Sequence, residues 1–193
     1  RRMDAGYTAD TPEALALERR RKALSLLTMA FDPQHPGHPQ QYEIARLLAM
    51  LKADTSAAIE RLASALSPSS HPTHDAHYLF CLSQMPGPRE SVRDKIANGF
   101  LGIDRKIEER NLLTDRNWSV NLRDALKAQL GFDPETANRM ARAKNISPAS
   151  IQLLTLLPEE NRKSMAQAMA ASVKGWNREA LGFVEKHLPP SAI

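Results

Sequence analysis

The stretch His74–Arg110, HDAHYLFCLSQMPGPRESVRDKIANGFLGIDRKIEER, decides the fold. Its first part, Tyr78-Leu79-Phe80-Cys81-Leu82, is apolar all round, and between Leu62 and Gly87 the only formally charged residue is Asp75. A run of that kind has no polar face to offer to water, so it predicts a helix buried on several sides and central to the packing. Thr73 is the expected N-cap, and Asp75 near the helix start suits the dipole. After Pro88, the residues Val92, Ile96, Phe100, Ile103 and Ile107 recur at spacings of four, four, three and four. That is the period of one buried helix face. The opposite face, with Arg89, Glu90, Arg93, Asp94, Lys95, Asp104, Arg105, Lys106, Glu108 and Glu109, reads as solvated charge.

Downstream lies LLTDRNWSVNLRDAL, residues 112–126, a polar turn running into a helix that carries a tryptophan in its first turn. Asp115 and Asn117 are suited to cap the backbone, Arg116 to pair with a carboxylate, and Trp118 to plug a gap between helices. Tyr78, Cys81, Asp115, Arg116, Asn117 and Trp118 are therefore the expected structural keystone.

Outward from this hub the chain reads as helix after helix. Thr11-Pro12-Glu13 supplies a cap and an N1 proline for a first helix, whose core residues are expected at Leu15, Leu17, Leu24, Leu26, Leu27 and Phe31. Gln40–Lys52 should bury Ile44, Leu47, Leu48 and Leu51, and a helix after Asp54 should bury Ile59, Leu62 and Leu66. Further helices are expected at Pro134–Ala143, Pro148–Leu156, Glu159–Val173 and Asn177–Lys186, with Gly131 and Gly175 as C-terminal stops. Asp32-Pro33, Ser67-Pro68, Asp133-Pro134 and Ser147-Pro148 punctuate the series. Alternating β-branched and aromatic runs are missing, and aromatics make up only 5% of the chain, so strands have little to be built from. The expected fold class is all-α: about ten short helices as stacked antiparallel pairs, a HEAT-like α-solenoid, or a compact helical bundle.

With 193 residues, 42% hydrophobic and 25% charged, the chain is long enough for one core, with a possible division into 1–70 and 71–193. No run of eighteen apolar residues is present to span a bilayer. The abrupt start at Arg1-Arg2-Met3-Asp4 reads as a piece of a larger protein. A net charge of +4 raises the possibility of a nucleic-acid or other polyanion partner. The densest basic run, Arg19-Arg20-Arg21-Lys22, would however spread around a helix instead of forming one stripe.

Positions 74–134 resemble the helical segment of large multidomain proteins of planctomycetes and related bacteria, labelled membrane-bound dehydrogenases. The resemblance is carried by His77-Tyr78-Leu79, by Leu101-Gly102-Ile103-Asp104-Arg105-Lys106, and above all by Asp115-Arg116-Asn117-Trp118. In that family a β-propeller, a HEAT-like region and a haem-binding cytochrome c module occur in various combinations. The resemblance implies an extracytoplasmic, periplasmic setting and a role as spacer or docking module for neighbouring domains. Covalent haem needs CxxCH, whereas Cys81 is the sole cysteine and is followed by Leu82, so no cofactor is expected in this segment.

Remaining chemistry is weighed against plainer readings. His71, His74 and His77 stand three apart, a spacing compatible with metal ligation, with Asp75 nearby as a fourth group only if it points the same way. The plainer reading puts His71 in a loop, His74 near a cap and His77 in a core hydrogen bond. Cys81 sits in an apolar run, where burial raises a thiol pKa and removes nucleophilicity. Glu108-Glu109 and Glu159-Glu160 have basic neighbours and read as solvated ion pairs, while Met165 and Met169 read as core. No phosphate-binding glycine loop or nucleophile elbow is present. The sequence thus points to a non-catalytic scaffold or interaction module, with a basic α-solenoid binding nucleic acid or another polyanion as the alternative.

Overall fold

The structure is a computed structural model that describes residues 17–143, 146, 150–171 and 178–189. The expected features at Thr11-Pro12, Leu15, Ser147-Pro148, Val173, Gly175 and Asn177 lie outside the described residues. The described chain is all-helical. Its ten helices are α1 (Leu17–Ala30), α2 (Pro39–Met50), α3 (Ser56–Ala63), α4 (Pro72–Leu82), α5 (Arg93–Glu109), α6 (Trp118–Phe132), α7 (Glu135–Ala141), α8 (Ile151–Leu154), α9 (Glu159–Ala170) and α10 (Arg178–His187), with no strand among the described residues.

The pattern of contacts gives the architecture. Every extensive contact joins helices one or two apart in chain order: α1 with α2 and α3, α4 with α2, α3, α5 and α6, α5 with α7, then α6 with α7 and α8, α7 with α9, and α10 with α8 and α9. Contacts confined to near neighbours are the mark of a quasi-one-dimensional stack, the solenoid form. The odd-numbered and even-numbered helices make two layers. α4 touches four other helices, which is why its Tyr78, Leu79, Cys81 and Leu82 are fully buried.

Local starts differ from those read in the sequence. α4 is capped by His71, whose side chain accepts from the Thr73 N–H at 3.3 Å, with Pro72 at the first helical position. α2 repeats the device: His38 accepts from the Gln40 N–H at 3.2 Å and Pro39 follows it. Thr73 is therefore not the cap. A proline at N1 has no N–H to leave orphaned, and the preceding imidazole nitrogen satisfies the next free donor. Gly131 is also not a stop, because α6 continues to Phe132.

α1 turns Leu24 and Phe31 into the core but leaves Leu17 and Leu26 exposed, 59% and 54%, so only part of its expected apolar stripe is used. Likewise Leu47 is 39% exposed. On α5, Val92, Ile96, Phe100 and Ile103 are buried and Ile107 half-buried.

Three arginines tie helix C-termini from outside those helices. Arg61 donates to the Phe31 and Met29 carbonyls after α1, Arg20 to the Leu51 and Lys52 carbonyls after α2, and Arg89 to the Leu82 and Met85 carbonyls at the end of α4. Terminal carbonyls have no intrahelical partner, and a guanidinium's fork of donors reaches two of them at once. Arg89 was read as surface charge; it is 2% exposed and also donates to Gly87 O at 2.5 Å and Gln129 Oε1 at 3.0 Å. Burial lowers its pKa to about 10, opposed by the nearby Asp133 carboxylate, so the side chain stays charged at neutral pH.

Candidate functional site

Among the described residues the odd layer has one opening. α1 packs on α3, α5 on α7 and α7 on α9, but α3 and α5 make no extensive contact. α3 is only eight residues long, and the chain leaves it through Ser67-Pro68 instead of extending alongside α5. The result is a cleft of about 580 Å³, lined on one wall by Ser64, Leu66, Ser67 and Pro68 and on the other by α5. That volume is in the range of ligand-binding clefts.

The α5 wall is a helical stripe: Lys95, Asn98, Gly99, Gly102 and Arg105. Lys95, Asn98 and Arg105 are exposed, and Arg105 reaches Glu109 at 3.6 Å in a pair open to water. Ten residues separate the two cations, which puts them about 15 Å apart along the axis at 1.5 Å per residue. Between them the floor is glycine. A Cβ at Gly102 would meet nothing within 4 Å, whereas one at Gly99 would lie 3.2 Å from Leu79 Cδ2 and 3.4 Å from Leu66 Cδ1. Gly99 thus lets α5 settle onto α4, and Gly102 keeps the cleft floor free of side chain.

Behind the cleft a buried polar centre fixes its two walls. Lys106 donates to Asp75 Oδ2 at 2.5 Å, to Ser67 O at 2.5 Å and to Ser70 Oγ at 3.0 Å, and Ser70 donates to Asp75 Oδ1 at 2.5 Å. The Lys106 and Asp75 side chains are 6% and 1% exposed. Lys106 therefore leaves the solvated face assigned to it by the sequence, and Asp75 spends its carboxylate on a lysine. Arg110 adds bonds to Ser69 O and Ser70 O. The α3–α4 connection is in this way tied to α5 at its far end while the middle stays apart.

The other residues singled out by the sequence lie elsewhere. Tyr78 donates to Pro36 O, packs edge-on against Phe31, and has a hydroxyl whose pKa is raised by burial. His77 Nε2, as the protonated nitrogen, donates to Tyr42 O at 3.0 Å; Cys81 Sγ is 3.6 Å from the same ring nitrogen, with its thiol pKa raised by complete burial. His74 lies against Tyr42 and His71, at centroid distances of 5.7 and 5.3 Å. His71 Nδ1 is used in the helix cap. No group of three or more His, Cys, Asp or Glu among the described residues is arranged to hold a metal ion.

Asp115, Arg116 and Asn117 are exposed, and Asp115 Oδ1 accepts from the Asn117 N–H at 2.6 Å, closing the turn on itself. Trp118 is half-buried against the core and its Nε1 donates to Asp104 at 3.0 Å. Burial raises the Asp104 pKa, partly offset by that indole bond.

The helical period puts Lys95 on a solvated face and gives no binding role to Asn98 or Gly102. One signal was there: Gly99 and Gly102 sit inside an uninterrupted 17-residue helix, where each glycine costs about 1 kcal/mol relative to alanine. Two such costs without a turn call for a packing or binding reason.

Comparisons with protein-family models, with curated proteins and with solved structures each found no match. No helix among the described residues is long and apolar enough to cross a membrane.

Proposed function

We propose that this chain is a non-catalytic helical interaction module that holds a segment of a neighbouring domain or of a partner protein in the cleft between the α3–α4 connection and α5. The observation that carries this reading is the single break in odd-layer stacking, where a glycine floor and two cations face an open cleft. A stack that is closed elsewhere keeps two walls apart at a fixed width, and such preorganisation lowers the cost of binding. The resemblance of residues 74–134 supports placing the module in a larger exported protein, where electron transfer would belong to other domains. Photo-crosslinking tests the reading. A photoreactive residue at Asn98, in the cleft, should give a discrete adduct with a neighbouring domain or partner, and one at Lys127, exposed on α6, should not; equal labelling from both positions contradicts it.

The second reading is a basic solenoid that holds nucleic acid or another polyanion, favoured by Lys95 and Arg105 at the cleft and by exposed Arg19, Arg21 and Lys22 on α1. Its signature is affinity that falls steeply with salt.

A further inference from the structure

We infer, resting on the cleft as the interaction site, that its ligand is an extended acidic peptide segment with two carboxylate side chains four residues apart, on one face of the strand, and a small apolar residue between them on that face. Three features of the cleft set these requirements. Charge comes first: the cations lining the open space are Lys95 at one end and Arg105 at the other, while the third lining cation, Lys106, is neutralised by Asp75. A ligand that satisfies both ends carries two negative charges. The carboxylate paired with Arg105, Glu109, lies 3.6 Å away in an exposed pair, which an incoming carboxylate readily replaces.

Length comes second. Lys95 and Arg105 are separated by about 15 Å of helix axis, and an extended chain covers about 3.3 Å per residue. Four to five residue steps therefore bridge the two ends. A helical ligand would need about ten residues over the same span, so the extended form is the shorter segment that meets both ends.

The floor comes third. Gly102 offers no side chain and has open space where a Cβ would stand, so a peptide backbone can approach α5 closely there. Leu66 and Leu101 line the same cleft and give a small apolar side chain somewhere dry to rest, and Asn98 and Ser64 supply side-chain polar groups to the ligand backbone. Acidic ends, a small apolar middle and an extended backbone together match what the walls present.

The test is an amide chemical-shift titration of the 193-residue chain with the peptide Glu-Ala-Leu-Ala-Glu, blocked at both ends, and with its counterpart carrying Gln for Glu. The glycine amides of Gly99 and Gly102 are the reporters. The acidic peptide should shift both in a saturable way, and the neutral peptide should bind at least fivefold more weakly. Lys95→Glu with Arg105→Glu should weaken the acidic peptide at least tenfold while leaving the helical circular dichroism unchanged. Equal binding of the two peptides, or no shift at either glycine up to millimolar peptide, overturns the acidic-peptide inference. A single-stranded DNA decamer that shifts the same amides more strongly than the peptide also overturns it, in favour of a polyanion. Failure here with a discrete Asn98 adduct intact removes only the ligand assignment; loss of that adduct removes the cleft reading itself.

Discussion

On one flank of α5, α7 is packed close and pinned; on the other, α3 stops short and leaves a cleft. The closed flank is held by Arg93, which binds Asp133 through both guanidinium branches at 2.7 and 2.8 Å, and by Thr136, which donates to the same carboxylate at 3.0 Å. Gln129 joins this group to Arg89. Burial would raise the Asp133 pKa, but the bonds from Arg93 and Thr136 and the charges of Arg93 and Arg89 outweigh it and hold the carboxyl below its usual range. The open flank has glycine where the closed flank has large side chains and paired charge. One helix therefore carries both the seam that makes the stack rigid and the gap that this rigidity keeps open.

The largest expected effect comes from removing the closed flank's anchor. Arg89→Met removes the donor to four acceptors in a buried site; Leu82 O still accepts from the Met85 N–H, so three are stranded, and at about 1–3 kcal/mol for each such group the loss should be about 3–9 kcal/mol. Thermal unfolding should fall by roughly 10 °C; a loss under 1 kcal/mol would show that the guanidinium is not the anchor.

Behind the open flank, Asp75→Ala strands a buried lysine and should cost about 3–5 kcal/mol. Replacing both partners, Asp75→Leu with Lys106→Met, should recover much of that loss, because an apolar pair needs no desolvated charge. Denaturant unfolding of the single and double variants checks it, and a double variant no better than Asp75→Ala would refute the desolvation account.

Acid should act on neither flank but on the even layer. Burial lowers the pKa of His77, with a smaller push from Arg46 and His74 against the Tyr42 carbonyl bond and Glu43; burial also lowers that of His74, with His71 adding to it and Asp75 opposing. A folded histidine below its unfolded value of about 6.5 binds fewer protons than the unfolded chain does. Stability is thus full above that value and declines as pH falls through it towards the folded value. Hydrogen exchange at pH 5 should speed up in α4, which carries both histidines, relative to pH 7, corrected for intrinsic rates, while α5 keeps its protection. Uniform acceleration would place the acid sensitivity elsewhere.

The smallest effect separates the two glycines. Gly102→Ala has open space and a better helix former, so it should stabilise the chain by about 0.8–1 kcal/mol, whereas at Gly99 the contacts with Leu79 and Leu66 should cancel most of that gain. Equal gains at both positions would mean that α4 and α5 are less closely packed than 3.2 Å implies.

The core shared by the two layers was legible because its signal is apolar. The run Tyr78–Leu82 and the stripe from Val92 to Ile103 have no polar alternative, so their burial follows from composition and period alone. The polar ties were not legible. Arg20, Arg61, Arg89 and Lys106 look like any solvated cation in a charged helix, and only the path of the chain brings them to carbonyls and carboxylates thirty or more residues away, except that Arg89 reaches back to its own neighbours. The His-Pro starts at 38–39 and 71–72 were hidden for a different reason: histidine is an uncommon cap, so the period gave the helices but not their first residues. The cleft is absent from any local pattern, because it is made by a helix that ends early.

Thiol labelling reads that gap most directly. Cys81 is buried with its thiol pKa raised by burial, so it stays silent in the native protein. Gly102→Cys should then react with a bulky disulfide reagent within about tenfold of a free thiol, as for an exposed site with an unperturbed pKa, while Ala97→Cys, at a position 1% exposed on the same helix, stays protected under native conditions. If Gly102→Cys proves as slow as Ala97→Cys, α3 and α5 close on each other in solution and no cleft exists for a partner to occupy.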